Sequence, residues 1–267
     1  MTELSLLNII FLVIFLGLSG YFAGISGMPL GPIRIFIMIF LGVPTLIVFG
    51  TNLAISFVVM AATVWNNYRA QRIDFKLGGS FLLFGFIGAL FGGLFSEVLP
   101  KELLLWIVTV LIFISAFLIV QTVHFPVKDE SHKELSPKSP VRKNIIAGAL
   151  NFVISVLGGS VGMVLGALRY PVMINYLKTE AKAASATNSF INLMVAMFAF
   201  LGHIIISEMS GNRHFDLMLF LPLGIVSAIG SYLGSKHVGN FSQRFILKTL
   251  YMLLFIMGVL MIFRDLI

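Results

Sequence analysis

Cysteine is absent from the 267 residues, which removes disulfide scaffolds, thiolate nucleophiles and thiolate metal sites at once. Charge is scarce as well: Asp, Glu, Lys and Arg make up 11% of the chain against 58% hydrophobic residues. So little polar surface cannot coat a soluble globule, so the chain belongs in a bilayer. A basic stripe with interleaved aromatics is also missing. The net charge of +7 comes from Lys and Arg in short loops between apolar runs, which fits membrane topology and excludes nucleic acid as a partner. No motif calls for a metal or a cofactor. Residues 1–5 carry Glu3 and no cationic stretch, and the next apolar run ends in glycines without a small-residue cleavage pattern. This reads as a retained first helix and not as a signal peptide.

What is present is a series of apolar segments. Five fill the first half (4–25, 33–49, 53–68, 77–98, 103–123) and five the second (145–157, 164–176, 183–207, 217–238, 245–267). About 20 helical residues cross about 30 Å of hydrocarbon. The first two segments of the second half, interrupted by Gly158, Gly159, Gly162 and Gly166, are too short to do so alone. Residues 124–144, with Pro126, Pro137 and Pro140 among mixed charges, read as an exposed linker. The expected organisation is a membrane repeat at 1–123, a cytoplasmic linker at 124–144 and a second repeat at 145–267.

The most specific signal is internal. Shifted by 135 positions, Gly24, Gly27, Met28, Leu30, Gly31 and Arg34 fall on Gly159, Gly162, Met163, Leu165, Gly166 and Arg169. A shift of 136 puts Thr51 and Asn52 on Thr187 and Asn188, and one of 142 puts Asp74, Gly88 and Gly92 on Asp216, Gly230 and Gly234. Preserved order makes this a duplication. Arg69, Arg72 and Lys76 mark one cytoplasmic loop, Lys128, Lys133, Lys138, Arg142 and Lys143 mark the linker, and Lys236, Arg244 and Lys248 mark a third. With the N-terminus outside, the first half crosses an odd number of times. The second half then starts inside and ends outside, making the halves inverted copies, an architecture of secondary transporters with a site near mid-membrane.

In each half the Gly-x-x-Gly-Met-x-Leu-Gly-x-x-Arg segment breaks an apolar helix. Irregular backbone at membrane depth is tolerated where it is buried in protein or lines a cavity. Helix N-termini at the breaks would offer free N–H groups to an anion, and Arg34 and Arg169 would add guanidinium groups suited to sulfonate or carboxylate oxygens. The competing reading is that each arginine snorkels to a headgroup. Thr51, Asn52, Thr187 and Asn188 open the third segments, either to bind substrate or as caps and interhelical bonds. Gly88, Gly92, Gly230 and Gly234 fit close helix packing, and Asp74 and Asp216 fit helix N-caps. His203 reads as a hydrogen-bonded core histidine. Gly24-Ile25-Ser26-Gly27 matches an intramembrane serine protease pattern, with His203 as the base, but the second copy has Val161 where Ser26 stands. A channel or scaffold without alternating access stays open.

With these motifs, the chain resembles the TauE/SafE family of sulfite and organosulfonate exporters over about 17 to 263, the linker excepted. The resemblance implies an all-α polytopic fold and transport of sulfite, sulfonates or related small anions across the plasma membrane. It places Gly24, Gly27, Gly31, Thr51, Asn52, Gly159, Gly162, Gly166, Thr187 and Asn188 around the substrate, beside Arg34 and Arg169. Expected partners are the anion, the bilayer and a coupling proton or sodium ion; the oligomeric state is not legible. Ala186 stands where the first copy has Gly50, and Val164 where it has Pro29, so the two halves of the site are expected to be unequal.

Overall fold

The computed structural model describes residues 6–124, 141–237 and 242–263; residues 1–5 and most of the expected linker lie outside them. The described residues are helical, in the order α1 (Leu6–Ser26), α2 (Gly31–Phe40), α3 (Thr45–Arg69), α4 (Phe75–Leu94, extended by a 3-10 turn, Phe95–Glu97), α5 (Lys101–His124), α6 (Val141–Ser160), α7 (Gly166–Pro171, running into a π-helical turn, Val172–Tyr176), α8 (Ala181–Ser210), α9 (Leu217–Lys236) and α10 (Gln243–Ile262). Five of them, α3, α4, α5, α8 and α9, are long and apolar enough to span a bilayer. Their outward faces carry Leu83, Phe91, Trp106, Phe117, Ile225, Ile229 and Leu233, all exposed. A surface so apolar is one made for lipid.

The segment boundaries depart from expectation in two places. The apolar stretch 33–49 is not one element: Gly42, at φ 78°, and Pro44 break it, so α2 ends at Phe40 and α3 starts at Thr45. Thr51 and Asn52 therefore sit in the second turn of α3 instead of opening it. The segment expected at 145–157 is a 20-residue helix, α6, because polar residues from Val141 extend it backwards and the glycines at 158 and 159 stay helical. The short elements are α2 and α7. Ten residues of α2 reach about 15 Å, half a bilayer.

Helices α3 and α8 lie against each other at the centre. Each also packs on a helix of the other half, α3 on α9 and α8 on α4, while α1 lies along α9, α6 along α4, and α5 along α10. These seams are made by glycine. A Cβ on Gly88 or Gly92 would collide with the carbonyls of Phe152 or Val156 in α6, and one on Gly230 or Gly234 with those of Gly17 or Tyr21 in α1. The same sequence shifts relate the two seams, so the packing expected of these glycines is present twice. Asp74 accepts from the N–H groups of Lys76 and Leu77, and Asp216 from that of Leu219, as N-caps of α4 and α9.

Candidate functional site

The chain between α1 and α2 turns at Gly27 (φ 67°) and that between α6 and α7 at Gly162 (φ 66°), a backbone region where glycine carries no Cβ penalty. Leu30 (φ −87°, ψ 47°) and Leu165 (φ −87°, ψ 49°) then enter the next helices with matching geometry. Each break is gripped by the opposite half: Gly27 is packed against Ser185 of α8, and Gly162 against Phe49 of α3. Gly24 and Gly159 lie before the breaks, inside helices, where they touch the backbones of α9 and α4.

One turn beyond each break stands the arginine, and both are 0% exposed. The snorkelling alternative is thereby excluded. Arg34 Nε donates to Asn52 Oδ1 at 2.7 Å and Nη2 to Ser56 Oγ at 2.5 Å. Arg169 Nε donates to Asn151 Oδ1 at 2.6 Å, and its Nη1 donates to Asn192 Oδ1 at 2.6 Å and Asn188 Oδ1 at 3.2 Å. The amides are themselves anchored. Asn52 Nδ2 donates to the Gly162 carbonyl at 2.7 Å and Asn192 Nδ2 to the Gly27 carbonyl at 3.3 Å, each crossing between halves, while Asn188 Nδ2 holds the Gly166 carbonyl at 3.1 Å.

Two donors stay unused: Arg34 Nη1 and Arg169 Nη2 are buried without a partner. No carboxylate pairs with either guanidinium among the described residues. A buried cation satisfied only by neutral amides and hydroxyls is costly to maintain, and it leaves an N–H edge open to an anion. The helix-dipole contribution is available from α2, whose first turn starts uncapped at Gly31 with Pro32 second; α7, at six α-helical residues, is too short to add one.

Thr51 and Thr187 do not reach the arginines. Thr51 Oγ1 accepts from the Asp216 N–H at 3.3 Å and Thr187 Oγ1 from the Asp74 N–H at 2.9 Å, tying α3 to the start of α9 and α8 to the start of α4. Three residues join the site that the sequence did not single out: Ser56, Asn151 and Asn192. A shift of 136 relates Ser56 to Asn192, so extending the repeat comparison one turn along α3 would have found that pair. Asn151 has Leu16 as its counterpart, and no such signal marks it. This is the inequality of the two halves: three amides around Arg169, one amide and one hydroxyl at Arg34.

The protease constellation is not assembled. Ser26 Oγ stays within its own turn, near the carbonyls of Ala23 and Met28, and both ring nitrogens of His203 are engaged elsewhere, with His214 and Gly159.

The family model described as "Sulfite exporter TauE/SafE" matches residues 9–261. Over 256 residues, 96% of this chain and 99% of the relative, the sequence is 23% identical to a Bacillus subtilis (strain 168) protein described as "Probable membrane transporter protein YdhB". No solved structure matches.

Proposed function

The chain belongs to the TauE/SafE family of sulfite exporters and is a membrane transporter, and from that premise we propose that it carries a small anion across the plasma membrane by alternating access. Sulfite, a sulfonate or a related sulfur-containing or carboxylate anion is the proposed cargo. The observation that carries this reading is the pair of fully buried arginines, each with an unpartnered guanidinium nitrogen and without a carboxylate among the described residues. The one free Nη of each guanidinium is matched in sign by a sulfonate or carboxylate oxygen, which can accept a charge-assisted hydrogen bond from it.

Burial also speaks to mechanism. A guanidinium with no exposed surface meets a solute only after helices part, so the arrangement is an occluded one. We place the N- and C-termini outside and the 124–144 linker inside, with the halves as inverted copies. The short helices α2 and α7 then return part-way through the membrane from the ends of α1 and α6, and the arginines lie near its middle. Rocking of one half against the other would expose the site to each side in turn, driven by a coupled proton or sodium ion.

The test is uptake of sulfite, sulfoacetate, thiosulfate and acetate by the protein in liposomes, for the wild type, Arg34→Gln and Arg169→Gln. One charge-assisted hydrogen bond contributes about 1.5–3 kcal/mol and 1.4 kcal/mol is tenfold, so each substitution should lower saturable uptake by about tenfold or more. Undiminished uptake by both variants would remove the arginines from the site.

A further inference from the structure

Glu97, His214 and His203 form a file of hydrogen bonds that the anion site does not use. Glu97 closes the 3-10 turn after α4 and is partly exposed, with Oε1 2.6 Å from His214 Nε2. That oxygen also accepts from Ser210 Oγ at 2.6 Å, and Oε2 accepts from Asn212 Nδ2 at 3.0 Å. His214 Nδ1 lies 2.9 Å from His203 Nδ1, and His203 Nε2 lies 2.9 Å from the Gly159 carbonyl oxygen. Both rings are fully buried. The file thus begins in a surface loop and ends in the last turn of α6, three residues before the break at Gly162. On its way it passes the other site: the His214 carbonyl is packed against Gly50, beside Thr51 and Asn52.

Donor chemistry restricts what this file can hold. It has three junctions, and each needs one hydrogen between its two heavy atoms. A carboxylate and a carbonyl oxygen only accept, and two neutral imidazoles supply only two hydrogens. Closing all three junctions requires one further proton, held as a carboxylic acid on Glu97 or as an imidazolium on either histidine with Glu97 a carboxylate. Without it two lone pairs face each other at one of the three junctions. The other ionisable groups nearby do not provide that proton. Glu208, Arg213, Lys101 and Glu102 are exposed, Asp216 is occupied in capping α9, and the ionisable residues of α3 and α6 are at their far ends, at Arg69 and at Arg142 and Lys143.

We propose that the Glu97–His214–His203 file is the coupling-proton site of this transporter. One proton taken from water by Glu97 closes the file and latches the end of α6 through Gly159; its return to water opens a junction and frees the second break to move. The assignment of coupling rests on the transport reading; that of a one-proton site does not. The matching position to His203 in the first half is Asn67, and to His214 it is Arg72, so the device exists at one face of the molecule only.

The proton site is tested by nitrogen-15 NMR of histidine-labelled protein in nanodiscs, with the five histidines resolved through His203→Gln and His214→Gln. The two buried rings should titrate together as a single proton. In Glu97→Gln the amide donates to His214 Nε2 without ionising, so their signals should stop moving with pH. The coupling is tested by thiosulfate exchange and gradient-driven accumulation in liposomes. The wild type should vary by up to about tenfold per pH unit, the limit for one proton, and Glu97→Gln, whose file stays closed at every pH, should exchange at a lowered rate that no longer varies with pH and accumulate nothing. Rings that titrate independently, or unchanged in Glu97→Gln, overturn the site; proton-driven accumulation by Glu97→Gln overturns the coupling. If the wild type moves no anion at all, the transport reading and with it the coupling fall, while the NMR still decides the proton site.

Discussion

At the scale of single residues the molecule turns on how two arginines are kept charged away from water. Their amide partners are not interchangeable with apolar residues of similar size. Asn192→Leu would strip one acceptor from Arg169 and one donor from the Gly27 carbonyl, leaving both buried. An unmade buried hydrogen bond costs about 1–3 kcal/mol, more when a charge is involved. We expect a clear drop in Tm for purified Asn192→Leu, and a smaller one for Ser56→Ala, which deletes a single hydroxyl acceptor at Arg34. Equal losses would mean that the cross-half bond from Asn192 to Gly27 contributes nothing. Arg34 and Arg169 were legible in the sequence because a charged residue repeated at a fixed distance from repeated glycines is improbable by chance. His214 and Glu97 were not legible, since neither belongs to a repeat and the loop that brings His214 beneath Glu97 has no local pattern.

At the scale of helices the decisive contacts are made by residues without side chains. Any Cβ at Gly234 meets the Tyr21 carbonyl, whereas one at Gly79, also within α4 or α9, meets nothing. Gly234→Ala should therefore push α1 from α9 and lower thermal stability or yield of folded protein. Gly79→Ala should be neutral or stabilising by up to about 1 kcal/mol, the usual helix gain over glycine. A fluorescence-detected melt of the two variants side by side checks this, and a tolerant Gly234→Ala would refute the tight seam. Element existence and order were readable from hydropathy because bilayer helices must be long and apolar. The α2–α3 boundary was not, because Gly42 and Pro44 interrupt a stretch whose hydrophobicity continues across them. The start of α6 was hidden for the opposite reason, as polar residues join a helix that protein contacts complete.

At the scale of the whole molecule, the orientation proposed from loop charge is directly measurable. The natural chain has no cysteine and serves as its own background for labelling. With a membrane-impermeant maleimide, Asn212→Cys should react from outside intact cells, and Lys76→Cys and Lys182→Cys only after the membrane is opened; all three positions are exposed. Labelling of Lys76→Cys from outside would reverse the topology. Asn52 of the first half holds the loop of the second, and Asn192 of the second holds the loop of the first. A single half standing alone would have neither bond. The halves are therefore mutually dependent without being interchangeable: one has an asparagine where the other has a leucine, and one alone has the pair of histidines.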